Sequence, residues 1–482
     1  MKLYLSLTIA LLLIAGAISG LKSQPVTIDD NFLSIRAGAG DPLYTTYAAA
    51  MVRSRLYGDK AYKMDYYSQC LPVSYSSDQS GKIYNIWKIN DVVVDKISEF
   101  HQPPVVTASF PDMAVMTYEP WPGIEVQETF LVYSSKTSVV RMWITNNTDK
   151  PHEVDVYPTI NLDKDSIHIQ SWDHQNHAYH THRHESLKRL ISNLYSKAGY
   201  PTEVMDIFTG NFTPYSYGGY FGNMDDFYNI VKTDFYTEDR SDSLNMASEG
   251  FARFIALHGR FNLQPGESAD IRYIRGIQDQ KEDVQELIEE INDVKTMDLQ
   301  PFADANIALF KSVPRLDFKS EDERLVYLGA LNLARGCMLP PSGQTSHNFY
   351  VFSREPLWGW GHGHQVLHES LAMLAYALLD AESAQESQRV YMEQQGDDGL
   401  IAYRHGPRGP QTYPHKGQPT TSAPFYSWIN WEVYGVSGDR DFLEDAYISG
   451  SKYVDWLHEN RDTDDDGTFE WGPYGIIENV RD

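Results

Sequence analysis

SADIRYIRGIQDQKEDVQELIEEINDVK, residues 268 to 295, changes its period midway. Its first ten residues are β-branched, aromatic and strand-like, whereas KEDVQELIEEINDVK (281–295) is polar with a helical repeat. Upstream, VQETFLVY (126–133), SVVRMWITNNTDKPHEVDVYPTI (138–160) and FARFIALHGRFNL (251–263) read as further short strands, with NNTDKP and LQPGES as turn punctuation. In VVRMWIT the apolar residues occupy both faces, as in a strand between two packed layers. Residues 24–279 are therefore expected to form a large antiparallel β-sandwich.

Downstream the text is helical. PFADANIALFKSV (301–313) joins the 281–295 segment in a helical linker, 280–319. Ser320 followed by Glu323 is a capping box ahead of RLVYLGALNLARGCML, in which Leu325, Leu328, Leu331 and Ala334 share a face. Helices are expected at 364–379, 381–395, 423–436 and 441–460, with no strand among them, so residues 320–482 read as all-α with loops suited to function. A closed ring of six helical hairpins needs twelve helices and this half supplies about six. The chain thus reads as an open half-structure or, the favoured expectation, as one truncated at its C-terminus.

Of the 482 residues, 42% are hydrophobic and 13% aromatic, enough for two cores. Lys2, the apolar run Leu3–Ile14 and the small residues Ala15, Gly16, Ala17, Ser19 and Gly20 make residues 1–23 a secretory signal peptide. No Cys stands where lipid would attach, and no other run approaches the roughly 20 apolar residues that span a bilayer. The expected location is the periplasm or the extracellular space. Two cysteines, Cys70 and Cys337, exclude a disulfide scaffold and read as buried free thiols. A net charge of -26 argues against nucleic acid or an anionic membrane as partner. Thirty-two tyrosines and ten tryptophans suit stacking on carbohydrate, although sandwich domains are aromatic-rich anyway.

Five stretches could carry chemistry. NRDTDDDGTFEWG (460–472) alternates Asp462, Asp464 and Asp466, turns at Gly467, and continues with Thr468 and Glu470. Such oxygen ligands suit Ca²⁺, although Pro473 stands where an EF-hand would have its bidentate Glu. DHQNHAYHTHRHE (173–185) is histidine-rich but reads better as a polar surface loop than as a zinc or copper site. GDDGLIAYRHGPRG (396–409) puts Tyr403, Arg404 and His405 ahead of a helix, where they could contact substrate. In TTSAPFYSWINWEVY (420–434), Trp428 could stack on a sugar, while Trp431 and Tyr434, three apart, read as a core stripe. PLWGWGHGHQVLHES (356–370) offers Trp358, Trp360, His362 and His364 as substrate contacts. His364 and His368 share a helix face beside Glu369, but no third metal ligand is in sight.

The order of these features, and above all the stretch containing Trp428, Glu432, Val433, Tyr434, Asp439, Asn460, Arg461 and Asp462, resembles the six-hairpin (α/α)6 glycosidases. The likeness is to glycoside hydrolase family 63 and its mannosylglycerate-hydrolase-like and trehalase relatives. It implies a β-sandwich followed by a partial (α/α)6 toroid, bound calcium, and hydrolysis of a glycosidic bond with inversion. One carboxylic acid would protonate the leaving oxygen and a carboxylate about 6.5–9.5 Å away would activate water. In the family the acid is an Asp in the loop after the tryptophan, and WGWGHGHQ contains no carboxylate. Glu369, Glu355, Asp397 and Asp398 are the nearest substitutes, with Glu369 and Asp397 the chosen candidates. Glu478 is a late acidic contact, and the family's base would lie beyond residue 482.

Two other functions fit the same text. One is a lyase on a uronate-containing polysaccharide, with Tyr and His as base and acid and Arg404 or Arg408 clamping the uronate. The other is an inactive carbohydrate-binding relative that has lost the acid.

Overall fold

Residue 24 begins the described part of a computed structural model, which covers 24–28, 47–48, 62–65, 70–77, 81–162, 167–184, 203–220, 222–232, 250–341, 343–351, 370–412, 419–421 and 425–470. The expected leader lies outside these residues. Two antiparallel sheets dominate the first half. The larger has nine strands, ordered edge to edge Gly250–Ala252, Ile167–Asp173, Ala178–His184, Glu203–Gly210, Ser268–Asp279, Thr137–Asn146, Ile124–Val132, Met113–Trp121 and Gln102–Ser109. The smaller has eight, along Tyr47–Ala48, Tyr62–Asp65, Ser74–Ser77, Gly81–Ile89, His152–Asn161, Phe254–Leu263 and Ser216–Tyr220, with Val92–Val94 paired to Gly81–Ile89.

Alternation along each strand builds one apolar layer between the sheets. Val140, Met142 and Ile144 of the larger sheet share a core with Ile83, Trp87, Val154 and Ile255 of the smaller. The outer faces are covered as well. Helix α1 (Met224–Lys232) lays Phe227 and Val231 on Tyr84, Tyr157 and Phe254 of the smaller sheet. Helices α2 (Val284–Thr296) and α3 (Gln300–Ser312) roof the larger one, where Leu287, Ile291, Ala303 and Phe310 meet Val139, Ile207 and Ile274. The segment expected as a linker is thus packed along its length. With about 1.5–3 kcal/mol for each fully buried large aliphatic or aromatic side chain, these contacts hold the roof in place.

Charge also ties the roof to the sheet. Asp270 accepts from Arg141 Nε at 3.0 Å and from Arg272 Nε and Nη2 at 3.2 and 3.1 Å. Arg272 Nη1 then donates to the carbonyls of Val294 and Met297, at 3.1 and 2.6 Å, satisfying the C-terminal end of α2. At the chain's start, Val26 exchanges two hydrogen bonds with the Gln127 amide, and Thr27 does the same with Gln300.

Helices α4 (Glu321–Gly336), α5 (Leu371–Tyr376), α6 (Ala381–Glu393), α7 (Tyr426–Ser437) and α8 (Arg440–Arg461) follow. Leu328, Met373, Ile429, Val433, Phe442 and Ala446 extend the roof's core into this half without a break. Ser320 caps α4 through Glu323 N at 3.2 Å, while Glu323 returns to Lys319 N at 2.7 Å. The chain is therefore a mixed β and α protein, and its helical half has five helices among the described residues, fewer than a closed ring needs.

Three expectations require correction. The helical half is not free of strands: Met338–Leu339 pairs with Phe349–Tyr350, because these apolar residues close a loop against Val390. Cys70 is exposed in a turn and Cys337 only half-buried, so neither is a core thiol, and neither is in a disulfide. The histidine-rich segment is not a loop, since Ile167–Asp173 and Ala178–His184 form a hairpin that continues into the larger sheet. Its histidines find separate partners, His182 with Glu203 at 2.8 Å and His180 with Asp173 at 3.7 Å.

Replacing Asp270 with Ala leaves two arginines, each 2% exposed, facing one another without their shared anion. The expected loss is about 3 kcal/mol of unfolding free energy in urea titration; a loss below about 0.5 kcal/mol would refute this account.

Candidate functional site

Between α6 and α7 the chain makes a long excursion whose shape is set by a few side chains. Gln394, just past α6, accepts from Gly406 N and donates to Gly406 O, both at 2.9 Å, and also donates to Gln344 O at 3.1 Å. Its amide replaces a missing strand partner. Gly399 has φ +94°, and a Cβ there would stand 2.2 Å from the Lys452 carbonyl, so the excursion rests directly on α8. Asp398 accepts from Leu400 N and from the Trp456 indole, at 3.1 and 3.2 Å.

The excursion then folds back on itself. Ala402 bridges Thr421, bringing residues 401–412 beside 419–421, and Arg404 bridges Gln411 within 401–412. Thr421 Oγ1 lies 2.8 Å from the Tyr453 hydroxyl. Arg461 reaches Pro419 O at 2.6 Å while stacking over Trp456. Tyr426 pairs with Ser449, which donates to Gln395. Burial pushes the phenols of Tyr426 and Tyr453 up to about 12, so both stay protonated and act as props. On this frame Tyr403, Arg404 and His405 are buried in consecutive positions, with His405 edge-on to the Tyr391 ring at 5.1 Å.

A second cluster follows α8. Asp462 accepts from the backbone of Asp466 and Gly467, both at 3.0 Å, and Glu470 accepts from Thr463 N at 2.8 Å. Asp465 (φ +59°) and Gly467 (φ +83°) make the reversal. Carboxylate oxygens of Asp462, Asp464 and Glu470 converge within 4.8 Å of one another, the one such trio among the described residues. Asp466 turns to Thr468, whose N–H and hydroxyl hold its carboxyl below the usual range. Thr463 N–H lowers Glu470 in the same way. Three anionic oxygens on one side of a tight loop match the preference of a hard dication, and the Asp466–Thr468 pair shapes the turn instead.

No protein-family model matches the chain, and no curated protein is similar to it. Among solved structures, one described as a kojibiose phosphorylase from the human microbiome aligns at 8% identity and TM-score 0.49, over 85% of this chain and 57% of that one. A bacterial glucoamylase complexed with acarbose aligns at 9% and 0.40, over 91% and 69%. An inverting mannosidase of family GH92 from Bacteroides thetaiotaomicron aligns at 12% and 0.39, over 88% and 64%. The chain thus spans 57–69% of the length of these proteins.

The expected site residues divide into three groups. Tyr403, Arg404 and His405 are together and buried. Asp397 is exposed at the tip of the Gly396–Gly399 turn, and Trp428 is exposed on α7 with its indole on Glu432 at 3.0 Å. Trp358, Trp360, His362, His364, Glu369 and Glu478 lie outside the described residues. Gln394 and Tyr453, which hold the excursion in place, were not singled out by any motif, and Thr421 lay in the 420–434 stretch without being picked as a contact. The core-stripe reading of Trp431 fails: it is 58% exposed, because α7 faces the core with Tyr426, Ile429, Asn430 and Val433. Tyr434 remains half-buried against the core.

On this assignment of faces, Trp431→Ala changes unfolding free energy by less than about 0.5 kcal/mol, whereas Ile429→Ala costs about 2–5 kcal/mol. Chemical denaturation of the two variants checks it, and the reverse order would mean that α7 is turned the other way.

Proposed function

We propose that this chain is the β-sandwich and part of the helical half of an exported glycoside hydrolase that acts with inversion on an oligo- or polysaccharide. The observation that carries the reading is the folding back of the α6–α7 connection on itself, where Ala402 bridges Thr421 and, within 401–412, Arg404 bridges Gln411. Helix-entry loops collected at one end of a helical array are where such a fold builds a sugar subsite, and here the junction holds an arginine, a histidine and a tyrosine on fixed backbone. In this reading Tyr403, Arg404 and His405 line the subsite beside Trp358, Trp360, His362 and His364. Trp428 and Glu478 extend it.

Glu369 is the proposed general acid, with Asp397 as the alternative carboxyl. Hydrolysis with inversion requires one neutral carboxyl to protonate the leaving oxygen and a second, ionised one to activate water on the opposite face of the ring.

A second reading, a lyase on a uronate-containing glycan, is favoured by one specific feature. The buried trio contains an acid–base pair, Tyr403 and His405, and a cation, Arg404, in adjacent positions. Arg404 would neutralise the uronate carboxylate, and the Tyr and His would remove and return protons.

Products separate the two. Proton nuclear magnetic resonance during digestion of an oligosaccharide panel is expected to show new reducing ends with the anomeric configuration opposite to that of the cleaved bond. Unsaturated, ultraviolet-absorbing ends would establish the lyase, and glycan binding with neither product would leave the inactive carbohydrate-binding relative. Glu369→Gln is expected to lower kcat by about 100-fold or more with little change in KM or melting temperature. Unchanged turnover would transfer the role to another carboxyl.

We further propose that Asp462, Asp464 and Glu470 hold Ca²⁺ as a structural ion, with Asp466 and Thr468 completing the loop. Calcium would relieve the repulsion among the converging carboxylates and fix the loop to the end of α8, whose Arg461 carbonyl already accepts from Glu470 N at 2.6 Å. Millimolar Ca²⁺ should raise the melting temperature of wild type and leave Asp464→Asn unmoved. Equal responses of the two proteins to Ca²⁺ and to chelator would remove the ion from this loop.

A further inference from the structure

Between the sheets, in a layer made mostly of aliphatic and aromatic side chains, sits one carboxylic acid with no cation beside it among the described residues. Glu128 projects from Ile124–Val132 on the same face as Val126, Phe130 and Val132, and is 2% exposed. Its strand neighbours in register are Met116 on one side and Met142 on the other. Two phenols hold it. The Tyr118 hydroxyl, from the same sheet, donates to Oε2 at 2.6 Å, and the Tyr75 hydroxyl, from the opposite sheet, donates to Oε1 at 3.0 Å. Tyr75 also stacks on Phe130 with ring centroids 4.0 Å apart. A third buried phenol, Tyr273 of Ser268–Asp279, lies within electrostatic reach, and its hydroxyl has no hydrogen-bond partner among the described residues.

The other charged groups nearby do not answer this carboxyl. Arg141 and Arg272 point to the outer face and are bound to Asp270. Arg275, on the inner side of its strand, is bound to Asp206 at 2.6 Å. Thr137–Asn146 presents Val140, Met142 and Ile144 to this layer, and Gly81–Ile89 presents Ile83, Trp87 and Ile89.

We infer that Glu128 is a proton-operated lock between the two sheets: neutral, it joins Tyr75 of one sheet to Tyr118 of the other; ionised, it places an uncompensated charge in their shared core. A neutral carboxyl fits that layer and can offer its own O–H to a phenol oxygen, whereas the ionised form has only two hydrogen bonds to offset its desolvation. Burial pushes the Glu128 carboxyl up to about 7, against the opposing pull of the Tyr118 and Tyr75 hydrogen bonds. Burial keeps all three phenols well above their ordinary value, so none of them ionises in the same range.

The sign follows from proton counting. Between the ordinary Glu value of 4.5 and about 7, the folded chain holds a proton at this position that the unfolded chain has released. The stabilisation is complete below that window and is lost as pH rises through it.

Urea unfolding of wild type and Glu128→Gln at fixed ionic strength, from pH 4.5 to 8, tests the lock. The unfolding constant of wild type should rise relative to the variant by up to about tenfold per pH unit within the window, leaving the variant the more stable at pH 8. Parallel profiles would overturn the inference. Infrared spectroscopy of wild type gives a reading that does not depend on the variant folding. A protonated carboxyl band from a non-exchanging buried acid should persist at pH 6, and its absence there would equally overturn the inference.

Discussion

The nine-stranded sheet carries apolar side chains on both faces, and the arrangement of the chain follows from the need to cover them. A strand such as Thr137–Asn146 sends Val140, Met142 and Ile144 one way and Val139 the other, so a single partner sheet cannot finish the burial. Helices α2 and α3 supply the second cover. Once they are fixed, their outer sides become the surface on which α4, α5, α7 and α8 assemble, which is why one apolar cluster runs from Ile274 to Ala446. Asp270 and Arg272 register this cover, because a guanidinium that has ended a helix cannot follow that helix if it slides.

The candidate site inherits this rigidity at one remove. Residues 401–412 form no helix and only isolated bridges, yet Gln394, just past α6, holds Gly406, and the flanking Asp398, Pro419 and Thr421 are held by Trp456, Arg461 and Tyr453 along α8. A loop fixed in this way can keep polar side chains buried without depending on its own secondary structure. Both clusters, the buried Tyr403–His405 run and the acidic loop, are fastened to α8, so its position governs both.

Much of the architecture was legible because it rests on period. The switch from strand to helix near 280, the capping box at Ser320 and the helices around 381–395 and 441–460 all appear close to where residue spacing put them. What spacing could not show was which face a helix buries when several are apolar. Trp428, Trp431 and Tyr434 recur every three residues, but Ile429 and Val433, four apart, lie on the buried stripe. Nor could it show that histidines at 180 and 182 sit in a strand, since imidazoles suit hairpins and loops alike. In the site, Tyr403, Arg404 and His405 were visible as a polar cluster before a helix. Gln394 and Tyr453 were not, because their roles arise from contacts made across 12 and 32 residues. Glu128 was invisible for a related reason: in sequence it is one more charged residue in an alternating strand.

The short segment at Val26 and Thr27 has an effect on the order of assembly. Two glutamine amides imitate a strand for it, one from the sandwich and one from α3, and the second partner lies 273 residues farther along the chain. Its docking is complete only after the sandwich has formed and the first roofing helices have been laid on it. The earliest part of the described chain is therefore among the last to be secured, as a seam closed over work already finished.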